Sequence, residues 1–85
     1  MPMDKKELHL VVVTPEHTLF DGVVESVELP GDKGRFQVLV NHAAIISSLS
    51  KGNLVFEAKG DTQTLSIQGG FVEVKDNLVS VCVEQ

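Results

Sequence analysis

Tryptophan and tyrosine are absent from this 85-residue chain, cysteine occurs once, proline three times, and four phenylalanines are the only aromatic residues. Without Trp or Tyr, a sugar-stacking surface is poorly supplied, because such surfaces rest on broad amphipathic rings. The single Cys82 cannot close an internal disulfide, whereas small secreted domains normally carry several, so a reducing, intracellular compartment is expected. The longest apolar run, Leu10 to Val13, is far below the ~20 residues of a membrane span, and residues 1–8 hold no signal-peptide apolar segment. Any membrane association is therefore expected to pass through a partner. Positive charge is scarce too: seven Lys and Arg against twelve Asp and Glu leave a net charge of −5, which repels phosphate backbones and anionic lipid heads and excludes nucleic acid as a natural partner. Eighty-five residues are too few for a second, catalytic domain beside the first, so one small core is expected, with a net stability of ~4 to 10 kcal/mol that docking onto a larger partner would help.

What is present is alternation. Hydrophobic residues make up 42% and charged residues 22%, which predicts a folded chain, and period-two patterning recurs between turn signals with no sustained helical spacing. The reading is all-β: a small flattened β-sandwich of eight to ten short strands spanning residues 8–85, behind a charged, aperiodic head at residues 1–7 that is expected to fray. Residues 8–13 read as a strand covered on both faces, ended by Thr14-Pro15-Glu16, with a short strand at 17–20. Asp21-Gly22 reads as a hairpin dipeptide, followed by a strand over 23–29 with Val23, Val27 and Leu29 on one face and Glu25 breaking it at an edge. Residues 30–34, Pro-Gly-Asp-Lys-Gly, carry the strongest turn chemistry and predict an exposed loop tip. Extended runs follow at 35–40 and 44–49, interrupted at Asn41-His42-Ala43, although residues 43–49 also suit a turn or two of helix. Turns at 51–53, Gly60-Asp61 and Asp76-Asn77 separate the later strands, and Gly69-Gly70 is expected to let the backbone bend or approach another strand closely.

Catalytic constellations are missing. His9, His17 and His42 are the only candidate bases in the neutral range, and none is spaced with Cys, Asp or another His in a metal pattern. Cys82 falls in an alternating strand on the face of Leu78 and Ser80, which suits an inert thiol better than a nucleophile. Ser47, Ser48 and Ser50 lack a nucleophile-elbow pattern, and the Gly31 to Gly34 spacing has no Lys-Ser/Thr pair or helix behind it. Glu25, Glu28 and Glu73 lie on separate strands without a cleft to make an acid pair of them. The expectation is a chain with no catalytic residues, no metal and no cofactor. Three classes of function remain to be weighed: an assembly subunit, a free-standing β-sandwich module holding a peptide or carbohydrate, and a small esterase-like or thiol enzyme.

Three segments carry a resemblance: residues 22–31, Gly-Val-Val-Glu-Ser-Val-Glu-Leu-Pro-Gly; residues 34–43, Gly-Arg-Phe-Gln-Val-Leu-Val-Asn-His-Ala; and residues 69–74, Gly-Gly-Phe-Val-Glu-Val, with Gly52 between. In order and spacing they resemble the epsilon subunit of F-type ATP synthases, called delta in mitochondria, and the opening at 10–14 and 19–22 extends the resemblance over residues 8–84. The sequence departs from that family's usual Gly, Pro and Pro at Gln37, Val40 and Ala44. Losing two prolines releases fixed φ angles and restores two N–H donors, which predicts a more strand-like or more mobile loop around His42. Members of the family commonly continue into a pair of C-terminal helices that in some inhibit ATP hydrolysis or bind ATP. This sequence stops at Gln85, so neither property is carried over to it.

The resemblance implies a non-catalytic rotor piece at the cytoplasmic side of the bacterial inner membrane. The sandwich would sit against the gamma subunit, rest on the c ring and couple ion-driven rotation to ATP synthesis. By resemblance, Gly31, Asp32, Lys33, Gly34, Arg35 and His42 face the polar loops of the c ring, and Thr14, His42, Ala43 and Ser47 face gamma. Where the family often has a carboxylate, this chain has Arg35, which shifts or reverses the charge offered to the ring.

Overall fold

A computed structural model describes residues 6–85, and these form nine β-strands and no helix: β1 (Leu8–Val13), β2 (Thr18–Val24), β3 (Ser26–Gly31), β4 (Gly34–Val38), β5 (Ile45–Leu49), β6 (Gly52–Ala58), β7 (Asp61–Ile67), β8 (Gly69–Lys75) and β9 (Leu78–Glu84). Residues 1–5 of the predicted frayed head lie outside the described part, and Lys6 and Glu7 are exposed. One hydrogen-bonded sheet, ordered β2-β1-β9-β8-β5-β3-β6-β7 with β4 on β3, curls over so that two layers face each other. The first layer is β2-β1-β9-β8-β5 and the second is β4-β3-β6-β7, linked at the register pair Gly31 and Leu49. All pairs are antiparallel except β1 with β9, where His9 to Val13 run alongside Leu78 to Cys82 in the same direction.

Alternation does the folding. Leu8, Leu10 and Val12 of β1, Val72 and Val74 of β8, and Val79, Val81 and Val83 of β9 point inward from the first layer. Val27 and Leu29 of β3, Val38 of β4, Leu54 and Phe56 of β6, and Ile67 of β7 meet them from the second. Phe20 crosses from β2 to stack against Phe56 with ring centroids 4.4 Å apart. Each of these side chains contributes about 1.5 to 3 kcal/mol by leaving water.

Two tight hairpins fall where turn residues predict. Asp76 and Asn77 both take positive φ between β8 and β9, as do Lys59 and Gly60 between β6 and β7, the paired left-handed geometry that matches the twist of flanking strands. Gly70 takes φ of 150° between Leu49 of β5 and Val83 of β9, and a Cβ there would collide with the Cys82 carbonyl oxygen, so the expected close approach is real.

Several boundaries differ from the sequence expectation. Asp21-Gly22 is not a hairpin but the middle of β2, opposite Val11 and Leu10; Gly22 instead leaves room for the Phe20 ring, which would lie 3.3 Å from a Cβ. The chain changes layers at Glu25, whose N–H donates to the Glu57 carbonyl at 2.7 Å. That single irregular residue resets the parity, so Val24 is buried and Val23, expected beside Val27 and Leu29, is turned outward. Pro30 is buried within β3, and Gly31 is its last residue, leaving only Asp32 and Lys33 at the tip of the predicted 30–34 loop. The 51–53 turn contracts to Ser50-Lys51, because Gly52 and Asn53 already pair with Ile67 and Ser66. The extended reading of 44–49 holds over residues 45–49, not its helical alternative, while residues 39–44 are irregular rather than strand-like. The first strand is covered on one face only: His9, Val11 and Val13 are half-buried.

Candidate functional site

Register assigns the outward side chains of the first layer. Reading across from β2, one row runs Val23, His9, Leu78, Lys75; the next Asp21, Val11, Ser80, Glu73, Ile46; the third Thr18, Val13, Cys82, Phe71, Ser48. Seven of these positions are apolar or a thiol. Ile46 is 78% exposed and Phe71 56%, although either would gain by leaving water. Val11, Val13, Phe71, Ser80 and Cys82, with Glu73, line a shallow hollow of about 120 Å³. At the β2 margin, His9 Nε2 lies 2.6 Å from Asp21 Oδ1.

The outward face of the second layer is built on the same alternation and reads differently. Gln37, Glu28, Val55 and Thr64 form one row, Ser26, Glu57 and Thr62 another, and Asn53 pairs with Ser66. Arg35 adds a contact to Glu28, with Nε and a terminal guanidinium nitrogen both 3.0 Å from the single oxygen Oε1.

The β3–β4 hairpin brings together Gly31, Asp32, Lys33, Gly34 and Arg35, all expected on one partner. The Asp32 N–H donates to Ser48 O at 3.1 Å, the Ser50 N–H to Pro30 O at 2.8 Å, and the Ser50 hydroxyl to Asp32 Oδ1 at 2.6 Å, so the tip is held along β5. A groove of about 470 Å³ runs between the hairpin and β5, and its lining adds Phe36, Ile46, Ser47 and Ser48 to these five residues. Ser47 shares the inward side of β5 with Ile45 and Leu49 and is half-buried, with its hydroxyl donating to Ser48 O.

Thr14, His42 and Ala43 do not meet. Thr14 continues β1 past Val13, whose neighbour is Cys82, and its hydroxyl accepts the His17 N–H at 3.0 Å to close the turn before β2. His42 and Ala43 precede β5 at the opposite end of the same layer, beside the β8–β9 hairpin. There the His42 N–H donates to Leu39 O at 3.1 Å, and His42 Nδ1 lies 2.7 Å from Ala43 O, the distance of a donated hydrogen bond when the proton is on Nδ1. Asn41, with φ of 69°, donates its N–H to Asn77 Oδ1 at 2.6 Å and accepts from Asn77 Nδ2 at 3.1 Å.

Cys82 lies on the outward face with Leu78 and Ser80, as alternation predicts, and it has no acid–base neighbour among its described hydrogen bonds. No group of three His, Cys, Asp or Glu side chains suited to a metal ion occurs among the described residues. Sequence reasoning missed the apolar outward face and the Asn41–Asn77 pair. The first left a signal, since residues 8–13 are apolar in both parities and Ile46 faces opposite to Ile45; the second left none, because it joins positions 36 apart.

Comparison with known proteins bears on what such a surface meets. Residues 7–85 match the family described as ATP synthase, Delta/Epsilon chain, beta-sandwich domain. The chain is 41% identical over 80 residues to the ATP synthase epsilon chain of Nitratidesulfovibrio vulgaris, covering 94% of this chain and 60% of that one. It is 37% identical over 78 residues to the epsilon chain of Caulobacter vibrioides, covering 92% of this chain and 91% of that one. Among solved structures, a chain of the Euglena gracilis mitochondrial ATP synthase assembly of OSCP, F1 and c ring superposes with a TM-score of 0.88 at 21% identity, over 95% of this chain and 52% of that chain. This chain thus spans about three fifths of the length of the N. vulgaris relative and nearly all of the C. vibrioides one.

Proposed function

The chain belongs to the ATP synthase delta/epsilon family through its β-sandwich domain, and from that premise we propose that it is a central-stalk subunit that joins gamma to the c ring at the cytoplasmic face of the bacterial membrane. Rotation driven by ion flow would pass through it to ATP synthesis, with no bond made or broken on the chain itself. The observation that carries this reading is the apolar outward face of the first layer. A sheet that already buries its inner face has no folding reason to hold Phe71 and Ile46 in water, whereas a subunit interface gains about 1.5 to 3 kcal/mol for each such side chain it covers.

We assign that face to gamma. A sandwich laddered by backbone hydrogen bonds resists shear, which suits a piece that turns with its neighbour. Thr14 at one end of the face and His42 with Ala43 at the other fall on its margins, whereas Ser47 points to the other side of the strand that carries Ile46 and lines the β3–β4 groove instead. The c ring takes the β3–β4 hairpin, where Lys33 and Arg35 flank Gly34; His42, at the other end of β5 beside the β8–β9 hairpin, would be a second contact apart from it. Arg35 spends part of its charge on Glu28, an exposed pair worth at most about 1 kcal/mol and therefore easily recruited by a carboxylate on the ring.

The test is reconstitution. Purified chain is mixed with gamma, with c ring, and with both, and retention is measured by sedimentation. Binding to gamma alone, strengthened when the ring is added, is expected; a chain that binds neither, or that stays behind when a coupled rotor is assembled, overturns the reading.

A further inference from the structure

Residues 39–42 form a β-turn closed by His42 N–H to Leu39 O, with Val40 and Asn41 at its two central positions. The φ of 69° at Asn41 is what the second central position of a type II turn requires, and the first is the place where a proline would fix φ in advance. Val40 does not fix it, so the turn must be held by something else. The amide of Asn77, 36 positions further along the chain in the neighbouring β8–β9 hairpin, does this. Its Oδ1 takes the Asn41 N–H, the donor that such a turn leaves free, and its Nδ2 donates to Asn41 Oδ1. Asn77 is itself fixed, because it sits at φ 64° in the β8–β9 hairpin and its backbone carbonyl accepts the His9 N–H at 2.9 Å.

We propose that Asn77 is a positioning residue for the partner-contacting loop: by clasping Asn41 it locks the turn that presents His42, Leu39 and Val40, in the role a proline at position 40 would otherwise fill. The loop's importance for assembly rests on the stalk reading; the clasp does not. His42 N–H and Nδ1 are both engaged within the loop, leaving Nε2 as the ring atom free for a neighbour among the described contacts. The exposed Leu39 and Val40 supply apolar contact beside it. A loop held in one conformation loses less entropy on binding, so the clasp acts on affinity through preorganisation.

Asn77→Gly is the informative variant, because glycine keeps the positive φ and the carbonyl that binds His9 while removing the amide. Hydrogen exchange at residues 41 and 42 should accelerate about tenfold or more. Affinity for the gamma subunit with c ring should fall about three- to tenfold, with the melting temperature nearly unchanged. Adding Val40→Pro should restore the affinity and the protection of the His42 N–H, which the turn itself holds, though not that of the Asn41 N–H, whose acceptor is gone; a generally destabilised hairpin would not permit this rescue. Unchanged exchange in Asn77→Gly overturns the clasp. Accelerated exchange with unchanged affinity, or failure of Val40→Pro to rescue, overturns its positioning role. Wild-type chain that binds neither subunit while exchange still responds to Asn77→Gly would sink the stalk reading and leave the clasp standing.

Discussion

The two layers of the sandwich bury similar inner faces and expose opposite outer ones. Outside β2-β1-β9-β8-β5, half of the fourteen positions are apolar or a thiol, Val11, Val13, Val23, Ile46, Phe71, Leu78 and Cys82, set among polar ones such as Asp21, Glu73 and Lys75; outside β4-β3-β6-β7 stand Glu28, Arg35, Gln37, Asn53, Glu57, Thr62, Thr64 and Ser66, with Val55 the apolar exception. Backbone pairing and inward alternation are satisfied equally in both, so folding alone does not account for the contrast. A layer that meets only water can be polar outside at no cost, and one that meets another protein gains by being apolar there. The asymmetry therefore separates what the chain needs in order to fold from what it offers to an assembly.

The sharpest way to break that contrast is at its glycines. Gly70→Ala should cost on the order of 3 kcal/mol or more, seen as loss of cooperative melting, because the new methyl meets backbone between two ladder strands of the apolar layer. Gly34→Ala, in the polar layer at φ 125° with open space around it, should cost only about 1 kcal/mol. Next comes the face itself. Ile46→Glu with Phe71→Glu should weaken binding to gamma roughly 100-fold, about 2.7 kcal/mol, while both side chains are exposed enough to leave the melting temperature within about 3 °C. The matched charge change on the other layer, Asn53→Glu with Thr64→Glu, should alter the same affinity less than about threefold in titration calorimetry; equal losses on the two faces would erase the distinction. The smallest effect is expected at the hairpin. Arg35→Ala should change stability by less than about 0.5 kcal/mol and reduce attachment to the ring chiefly at low salt, measured by sedimentation across an ionic-strength series.

Much of this was legible in the residues. Alternation in β5, β7 and β9 assigns Ile45 against Ile46, Leu65 against Ser66 and Cys82 against Val83 without a structure, and Asp76-Asn77 announces its hairpin. What failed were places where tertiary demands outrank local chemistry. Asp21-Gly22 has turn-forming residues, yet β1 offers it a continuous ladder, and the glycine answers to the Phe20 ring instead of to a bend. Pro30 sits in a strand because it is buried beside Gly52. Glu25 looks like a flaw in one strand and is the joint between two, which reverses the sidedness of Val23 and Val24. Where the expected contact residues would fall was not legible, since nothing local distinguishes Thr14 at one end of a layer from His42 at the other.

The parallel pairing of β1 with β9 sets the order in which this protein can be made. One edge of residues 9 to 13 pairs locally with β2, but the other finds its ladder partner only among residues 78 to 82, so on the ribosome that edge stays open, with Leu8, Leu10 and Val12 short of their β9 neighbours, until β9 has been synthesised. Such long-range closure makes for slow folding and a window open to aggregation, so nascent chains should engage a chaperone through that first segment.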